Sequence, residues 1–264
     1  MKKFGLQLFT IRDRLKTEEE IRSSFRTIAE YGYSEAQTAG AFINPVSFAA
    51  AAKDAGVSIC GTHYFWDKIR YELDDTMRLH EILGTTNVGI GGMPVDARNS
   101  LEGLKNFIDE ANDVAAKLAK HGFKFTYHNH SFEFKKLDGK TVMDYLIEGF
   151  DPNNISFVLD TYWVQHGGYD ICKMIRRLAG RIDILHLRDM AACRSVILSD
   201  GTSIDVPYTT EIGKGNIDFE EIVPLAESIG AKSFVVEQNT GFIDGDCFRS
   251  VKVSADYIKA NLLK

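Results

Sequence analysis

LEGLKNFIDEANDVAAKLAKHGFKFTYHNHSFEF, residues 101–134, contains one whole repeat of the fold. From Leu101 to His121, the residues Leu104, Phe107, Ile108, Ala111, Ala115 and Leu118 recur on one face at the helical period. Gly122 closes that helix, because glycine accepts the left-handed backbone on which helices end. The run Lys124–Asn129 then reads as a strand, and His128, Asn129, His130 and Glu133 crowd its end. The same phrase of helix, glycine and apolar run recurs around Gly32, Gly56, Gly84 and Gly230. Ahead of Gly32, the stretch Glu19–Tyr31 carries Ile21, Phe25, Ile28 and Ala29 at helical spacing. The other strand candidates are Phe4–Phe9, Tyr33–Gln37, Val57–Thr62, Asn87–Ile90, Ile155–Asp160, Ile182–Leu187 and Ser233–Glu237. Strands alternating with helices in this way predict an α/β chain folded as a closed (β/α)8 TIM barrel, one domain over residues 1–264. A doubly wound open sheet is the runner-up, weakened because no GxGxxG follows the first strand.

Composition narrows the classes. The chain has 264 residues, of which 44% are hydrophobic. No apolar run approaches the roughly 20 residues a membrane span needs. The apolar part of MKKFGLQLF is too short for a signal peptide. Cys60, Cys172, Cys193 and Cys247 are scattered and form no C-x-x-C pair, so no disulfide framework or structural zinc site is expected. These features point to a cytoplasmic protein with no membrane partner. The net charge is −6 and no Lys/Arg run occurs, so nucleic acid is not an expected partner.

Function is marked at the strand ends. Glu133 in YHNHSFEF, Asp160 in FVLDTYW, His186 in ILHLRD and Glu237 in FVVEQ lie at, or just past, the C-terminal ends of four predicted strands. A buried strand does not finish on an unpaired charge without cost. In a barrel these ends open on one face. Three carboxylates and one imidazole meeting there would bind one divalent cation, with Mn²⁺ favoured and Mg²⁺, Co²⁺ or Zn²⁺ also suited. The plainer alternative makes Asp160 and Glu237 helix caps and His186 a satisfied core histidine. Gln7, Glu35, Gln37 and His63 are further polar groups in or near strand ends, and Arg188 lies two residues past His186. Trp163 and Tyr162 follow Asp160; an aromatic face there suits a sugar ring, and ordinary packing explains it equally well. Gly89, Gly91 and Gly92 either let backbone N–H groups approach a ligand or build a tight turn. Asp218 in GKGNIDFEEI reads as a helix cap. Met190–Gly215 reads as a long irregular lid or rim over the pocket.

YHNHSFEF, LDTYW, HLRD, GKGNID and VVEQ together resemble the sugar phosphate isomerase/epimerase family, with its xylose isomerase-like barrel, over nearly the whole chain. The resemblance implies a metal set of Glu133, Asp160, His186 and Glu237. Many members carry the first glutamate directly before the asparagine, where this chain has His128. Glu133 is then expected to reach back to the metal, with His128 or His130 as the fourth ligand if it does not. The implied reaction is isomerisation or epimerisation of a ketose, keto-sugar or sugar phosphate by proton abstraction beside a metal-bound carbonyl. Glu133 and Glu237 would carry the proton, and His63, His130, Trp163 and Arg188 would bind substrate. A dehydratase or lyase, a DNA repair endonuclease and a non-catalytic sugar-binding barrel are the competing readings. Lookalike enzymes are commonly homo-oligomers.

Overall fold

The computed structural model describes residues 1–40 and 42–264. Eight parallel strands form one sheet: β1 (Gly5–Gln7), β2 (Glu35–Ala39), β3 (Ser58–His63), β4 (Asn87–Ile90), β5 (Lys124–His128), β6 (Ile155–Asp160), β7 (Ile182–Leu187) and β8 (Ser233–Val236). Their order is β3-β2-β1-β8-β7-β6-β5-β4. The sheet curls until its two edges meet. Tyr64, just past β3, bridges Ile90 in parallel, and its N–H donates to the Gly89 carbonyl at 2.7 Å. This seam explains Gly89 better than a ligand or a turn does. A Cβ there would lie 2.2 Å from the Thr62 carbonyl oxygen, so only glycine lets the edges approach. The result is the expected (β/α)8 TIM barrel, with every predicted strand end within two residues of the observed one.

The helices are α1 (Glu18–Glu30), α2 (Pro45–Asp54), α3 (Trp66–Tyr71), α4 (Leu73–Leu83), α5 (Leu101–Ala119), α6 (Val142–Gly149), α7 (Thr161–His166), α8 (Ile171–Arg177), α9 (Phe219–Ser228) and α10 (Cys247–Asn261). Thr17 and Glu20 cap α1 reciprocally, and the Asp218 side chain accepts from the Glu221 N–H at the start of α9, as expected of a cap. The five helix-closing glycines all have positive φ, from +70° at Gly84 to +99° at Gly32. None of the helices among the described residues is long and apolar enough to cross a membrane.

The packing core lies between barrel and helices, but the lumen has a small layer of its own. Val158, Ile184 and Val235 form a separate apolar cluster with zero exposure. Two residues farther along β6, β7 and the end of β8 stand Asp160, His186 and Glu237. The period of two puts both sets on the inner face. The apolar layer therefore seals the barrel beneath a polar one.

Met190–Gly215 is not irregular. Asp189–Ile197 and Ser203–Thr210 pair antiparallel as a hairpin. Its outer half is exposed on both faces, so no apolar alternation betrays it in the sequence. Its foot is fixed by Asp189, a buried carboxylate that accepts the N–H groups of Met190, Gly213, Gly215 and Ile217 at 2.8–3.2 Å. The GKGNID phrase is thus a cradle for Asp189. A Cβ on Gly215 would lie 2.3 Å from Asp189 Oδ1.

Candidate metal centre

At the barrel mouth, His128, Asp160, His186 and Glu237 each offer one donor atom, and these atoms all lie within 4.8 Å of one another. All four residues are buried. Asp160 ends β6 and also caps α7: its Oδ1 accepts the Trp163 N–H at 2.9 Å, while Asn129 Oδ1 accepts the Asp160 N–H at 2.9 Å. The cap uses one oxygen and leaves Oδ2 facing the group. Glu237 is held just past β8 by its N–H, which donates to the Leu187 carbonyl at 3.1 Å.

The imidazoles are oriented by hydrogen bonds whose direction follows atom by atom. Gln7 Oε1 accepts the Phe9 N–H at 3.1 Å, which leaves Gln7 Nε2 to donate to Gln37 Oε1 at 2.9 Å and to His63 Nδ1 at 3.3 Å. Gln37 Oε1 is therefore an acceptor, and His186 Nε2, 2.5 Å away, carries a proton. His186 turns Nδ1 to the group, 3.0 Å from Glu237 Oε2 and 3.6 Å from Asp160 Oδ2. His128 Nδ1 donates to the Gly91 carbonyl at 3.3 Å. Its Nε2 lone pair then faces Asp160 Oδ2 at 3.5 Å and Glu237 Oε2 at 3.9 Å. In each case the hydrogen bond at the far ring nitrogen turns the near nitrogen toward the group.

The donor set fits a divalent cation. Asp160 Oδ2 and His128 Nε2 are buried and have no hydrogen-bond partner. Lone pairs of an imidazole and two carboxylates that face one another repel unless a cation lies between them. Two nitrogens and two oxygens suit a first-row divalent metal. The electrostatics already favour ionised carboxylates. Burial would raise Asp160, but the neighbouring His128 and His186 rings and the charge of Arg188 hold it well below the usual carboxylate range. Burial acts the same way on Glu237, and His186, His128 and Arg188 bring it down to about 2. Burial would lower His186, and Glu237 and Asp160 instead raise it to about 9.

Glu133 is the correction. Expected in the metal set, it lies outside the group, and His128 stands in its place. Just past β5 the chain turns through a short 3₁₀ segment, Phe132–Phe134, which folds Glu133 back under the strand end. There its Oε1 accepts from Tyr127 Oη at 2.7 Å and its Oε2 from the His130 N–H at 2.8 Å. It is fully buried, and desolvation raises it to about 7.

The predicted substrate residues surround the group. A mouth pocket of about 350 Å³ is lined by His63, His128, His130 and Glu237 together with Phe9, Tyr64 and Asn239. His63 accepts at Nδ1, so Nε2 carries the proton; that atom is buried and unpartnered. Burial, with His128 and His186 nearby, keeps His63 neutral far below the usual range. His130 stacks on Phe132 and is lowered to about 3 by burial and by His128. Arg188 lies over the rings of Tyr162 and Trp163, and its Nη1 is 3.9 Å from both Asp160 Oδ2 and Glu237 Oε2. Its Nε and Nη1 have no hydrogen-bond partner. The sequence reading assigns no role to Gln7, Gln37 or Asn129, which orient the donors. The available signal is that polar amides occupy lumen positions where apolar residues belong.

Residues 25–242 match the sequence profile described as xylose isomerase-like TIM barrel. The inosose dehydratase of Geobacillus kaustophilus (strain HTA426) is 26% identical over 258 residues, which cover 96% of this chain and 69% of that protein. The crystal structure of a sugar phosphate isomerase/epimerase from Parabacteroides distasonis ATCC 8503 superposes with a TM-score of 0.82 at 22% identity, covering 99% of this chain and 94% of that one. A xylose isomerase-like TIM barrel protein from Mycobacterium smegmatis, solved in complex with magnesium, has a TM-score of 0.70 at 13% identity, covering 99% and 97%. At these identities the two structures share the fold with this chain. By the extent of the profile match, the chain belongs to the xylose isomerase-like TIM barrel family.

Proposed function

We propose that this barrel is a divalent-metal-dependent isomerase or epimerase acting on a ketose, a keto-sugar or a sugar phosphate. The observation that carries the reading is the pair of buried, unpartnered atoms, Asp160 Oδ2 and His128 Nε2, aimed at each other among four possible ligands. His128, Asp160, His186 and Glu237 would hold the ion, with Mn²⁺ the favoured choice. When bound, the ion supplies Lewis acidity that makes a C–H beside a carbonyl easier to ionise. Glu237 belongs to the group and also lines the pocket, so it is the carboxylate placed to take and return a proton. His63 stays neutral and offers its Nε2–H to a substrate oxygen. Arg188 sets a cation beside the carboxylates and steadies charge that develops on the substrate. Glu133 acts at one remove in this scheme: it holds the His130 backbone and hence the ring that lines the pocket. The net charge of −6 and a mouth pocket lined by His63, His128, His130 and Glu237 favour a sugar over nucleic acid as the occupant.

A second reading keeps the same site. A dehydratase would lose water after the same proton abstraction, and the alignment to an inosose dehydratase over 96% of the chain supports it. Two measurements test the proposal. Elemental analysis should find about one divalent ion per chain. Replacing Glu237 with Gln should abolish deuterium incorporation from solvent into a ketose. Unchanged exchange in a folded, metal-loaded variant refutes the role of Glu237, and a product lighter by one water selects the dehydratase.

A further inference from the structure

A second cleft, of about 150 Å³, adjoins the mouth pocket, and Phe9 and Ala39 line both. Phe9, the larger of the two shared residues, is 41% exposed and so is not itself buried in packing. The guanidinium of Arg12 covers the Phe9 ring at 4.3 Å and donates to the Phe9 carbonyl at 2.8 Å. The remaining walls are apolar, chiefly Leu8, Leu15, Phe42 and Phe48. A cavity of that volume lined by such residues accepts one benzene-sized ring. Two polar side chains, Arg12 and Thr38, interrupt the apolar lining. Thr38 is 2% exposed, lines the cleft, and its Oγ1 has no hydrogen-bond partner among the described residues. An unpartnered buried hydroxyl is costly, and a ligand oxygen would satisfy it.

We propose that the cleft is a binding subsite for a flat apolar ring bearing an oxygen, carried as a substituent on the sugar whose reacting carbon lies at the mouth. The substrate class is then an aryl-substituted sugar, such as a phenolic glycoside of a keto-sugar. The sugar half of this assignment rests on the reading given under Proposed function; the ring half does not. A bare sugar would leave the apolar walls wetted, and among the described residues a phosphate would find no polar side chain in the cleft beyond Thr38 and Arg12.

The probe for the cleft is 4-fluorophenol, titrated by ¹⁹F NMR. Saturable binding is expected. Leu15→Trp, which fills the cleft, should remove it. Thr38→Val should weaken it roughly two- to tenfold, the worth of one hydrogen bond. Thr38→Val keeps the side-chain shape and deletes an unpartnered hydroxyl, so its melting temperature should hold or rise, and weaker binding cannot then be laid to unfolding. Loading the protein with Mn²⁺ in place of Mg²⁺ should sharply broaden the bound ¹⁹F signal, because the paramagnetic ion lies next door. Absence of saturable binding, or binding indifferent to Leu15→Trp, overturns the ring site. Saturable binding with no Mn²⁺ broadening, in protein shown by titration to hold Mn²⁺, overturns its place beside the metal. If the protein binds no Mn²⁺, the metal reading fails by itself, and the phenol titration still decides the cleft.

Discussion

Both ends of the barrel bury carboxylates, and they treat them in opposite ways. At the N-terminal end, Glu35 meets the Lys3 ammonium at 2.6 Å, and Asp183 meets those of Lys232 at 3.0 Å and Lys124 at 3.6 Å. Lys3 and Lys232 are more than half exposed, so these charges are neutralised by ammonium groups that keep much of their water. Glu35 keeps one oxygen unpartnered, but its other oxygen is paired. At the C-terminal end, Asp160 and Glu237 face imidazoles and one guanidinium, with donor and acceptor atoms left open and no lysine among their ion-pair partners. One end is closed electrostatically, and its groups are spent on stability. The other is held in a state that a ligand would complete. What sets the C-terminal end apart is that its open donors and acceptors face one another in a single group.

The sharpest way to break this contrast is Asp160→Asn. The amide still caps α7 through its oxygen but loses the charge that the group requires. Metal-dependent turnover should fall by about 10²–10³ or more, comparable to losing a key electrostatic group in an active site. The lowered pKa of Asp160 means that its charge also favours the fold, so a modest fall in melting temperature is expected. A melting temperature that drops sharply would make Asp160 a structural anchor and erase the difference between the two ends.

Not everything near the mouth is functional. Gly89→Ala places a methyl 2.2 Å from the Thr62 carbonyl oxygen and 2.6 Å from Thr126 Oγ1. The Thr62 carbonyl cannot yield without opening the seam between β3 and β4. We expect a loss of about 3 kcal/mol in urea unfolding, the upper range for overpacking. Metal content per folded chain should be unchanged. Loss of metal at full stability would turn Gly89 from a seam residue into a site residue.

The sequence makes the barrel legible because period-two runs and closing glycines recur along the chain, and those signals are local. Asp160, His186 and Glu237 are legible for the same reason, as each breaks an apolar run at its end. Glu133 and His128 exchange places because Glu133 lies past the strand, where a 3₁₀ turn rather than strand alternation sets the direction of a side chain. The cleft around Thr38 is invisible in the sequence, since its walls come from β2, the turn after β1 and α2, and no pattern in any one segment marks it. The hairpin is missed because its exposed strands lack the apolar face that pattern reading depends on.

His80 sharpens the contrast from the wall of the barrel. It is fully buried on α4; its Nδ1–H donates to the Thr76 carbonyl at 2.7 Å, and its Nε2 accepts from Thr62 Oγ1 at 2.8 Å. Burial lowers it from 6.5 to about 4, against the smaller opposing pull of the Thr76 carbonyl. The folded state therefore binds its proton more weakly than the unfolded chain does. The associated stability is fully present above the unfolded value of about 6.5 and is lost as pH falls through about 4. Urea titrations at pH 7 and pH 4 should differ by a His80 contribution on the order of 2 kcal/mol. His80→Gln should lower stability at pH 7 and flatten the acid limb. An acid limb equally steep in the variant would assign the loss to the histidines of the mouth instead.

The smallest effect belongs to the closed end. Lys232→Ala removes an ammonium 3.0 Å from Asp183, yet Lys232 is 64% exposed and Lys124 remains 3.6 Å away to share the charge. An ion pair with one wet partner is worth under about 1 kcal/mol, and salt screens it further. The expected change is a few tenths of a kcal/mol in low salt, vanishing near 0.5 M NaCl by screening. The Lys124→Ala/Lys232→Ala double variant should cost more than the sum of the two single variants, because only then is Asp183 left buried without a cation. Strict additivity would mean that water already solvates Asp183, and that the closed end of the barrel is closed by solvent rather than by lysine.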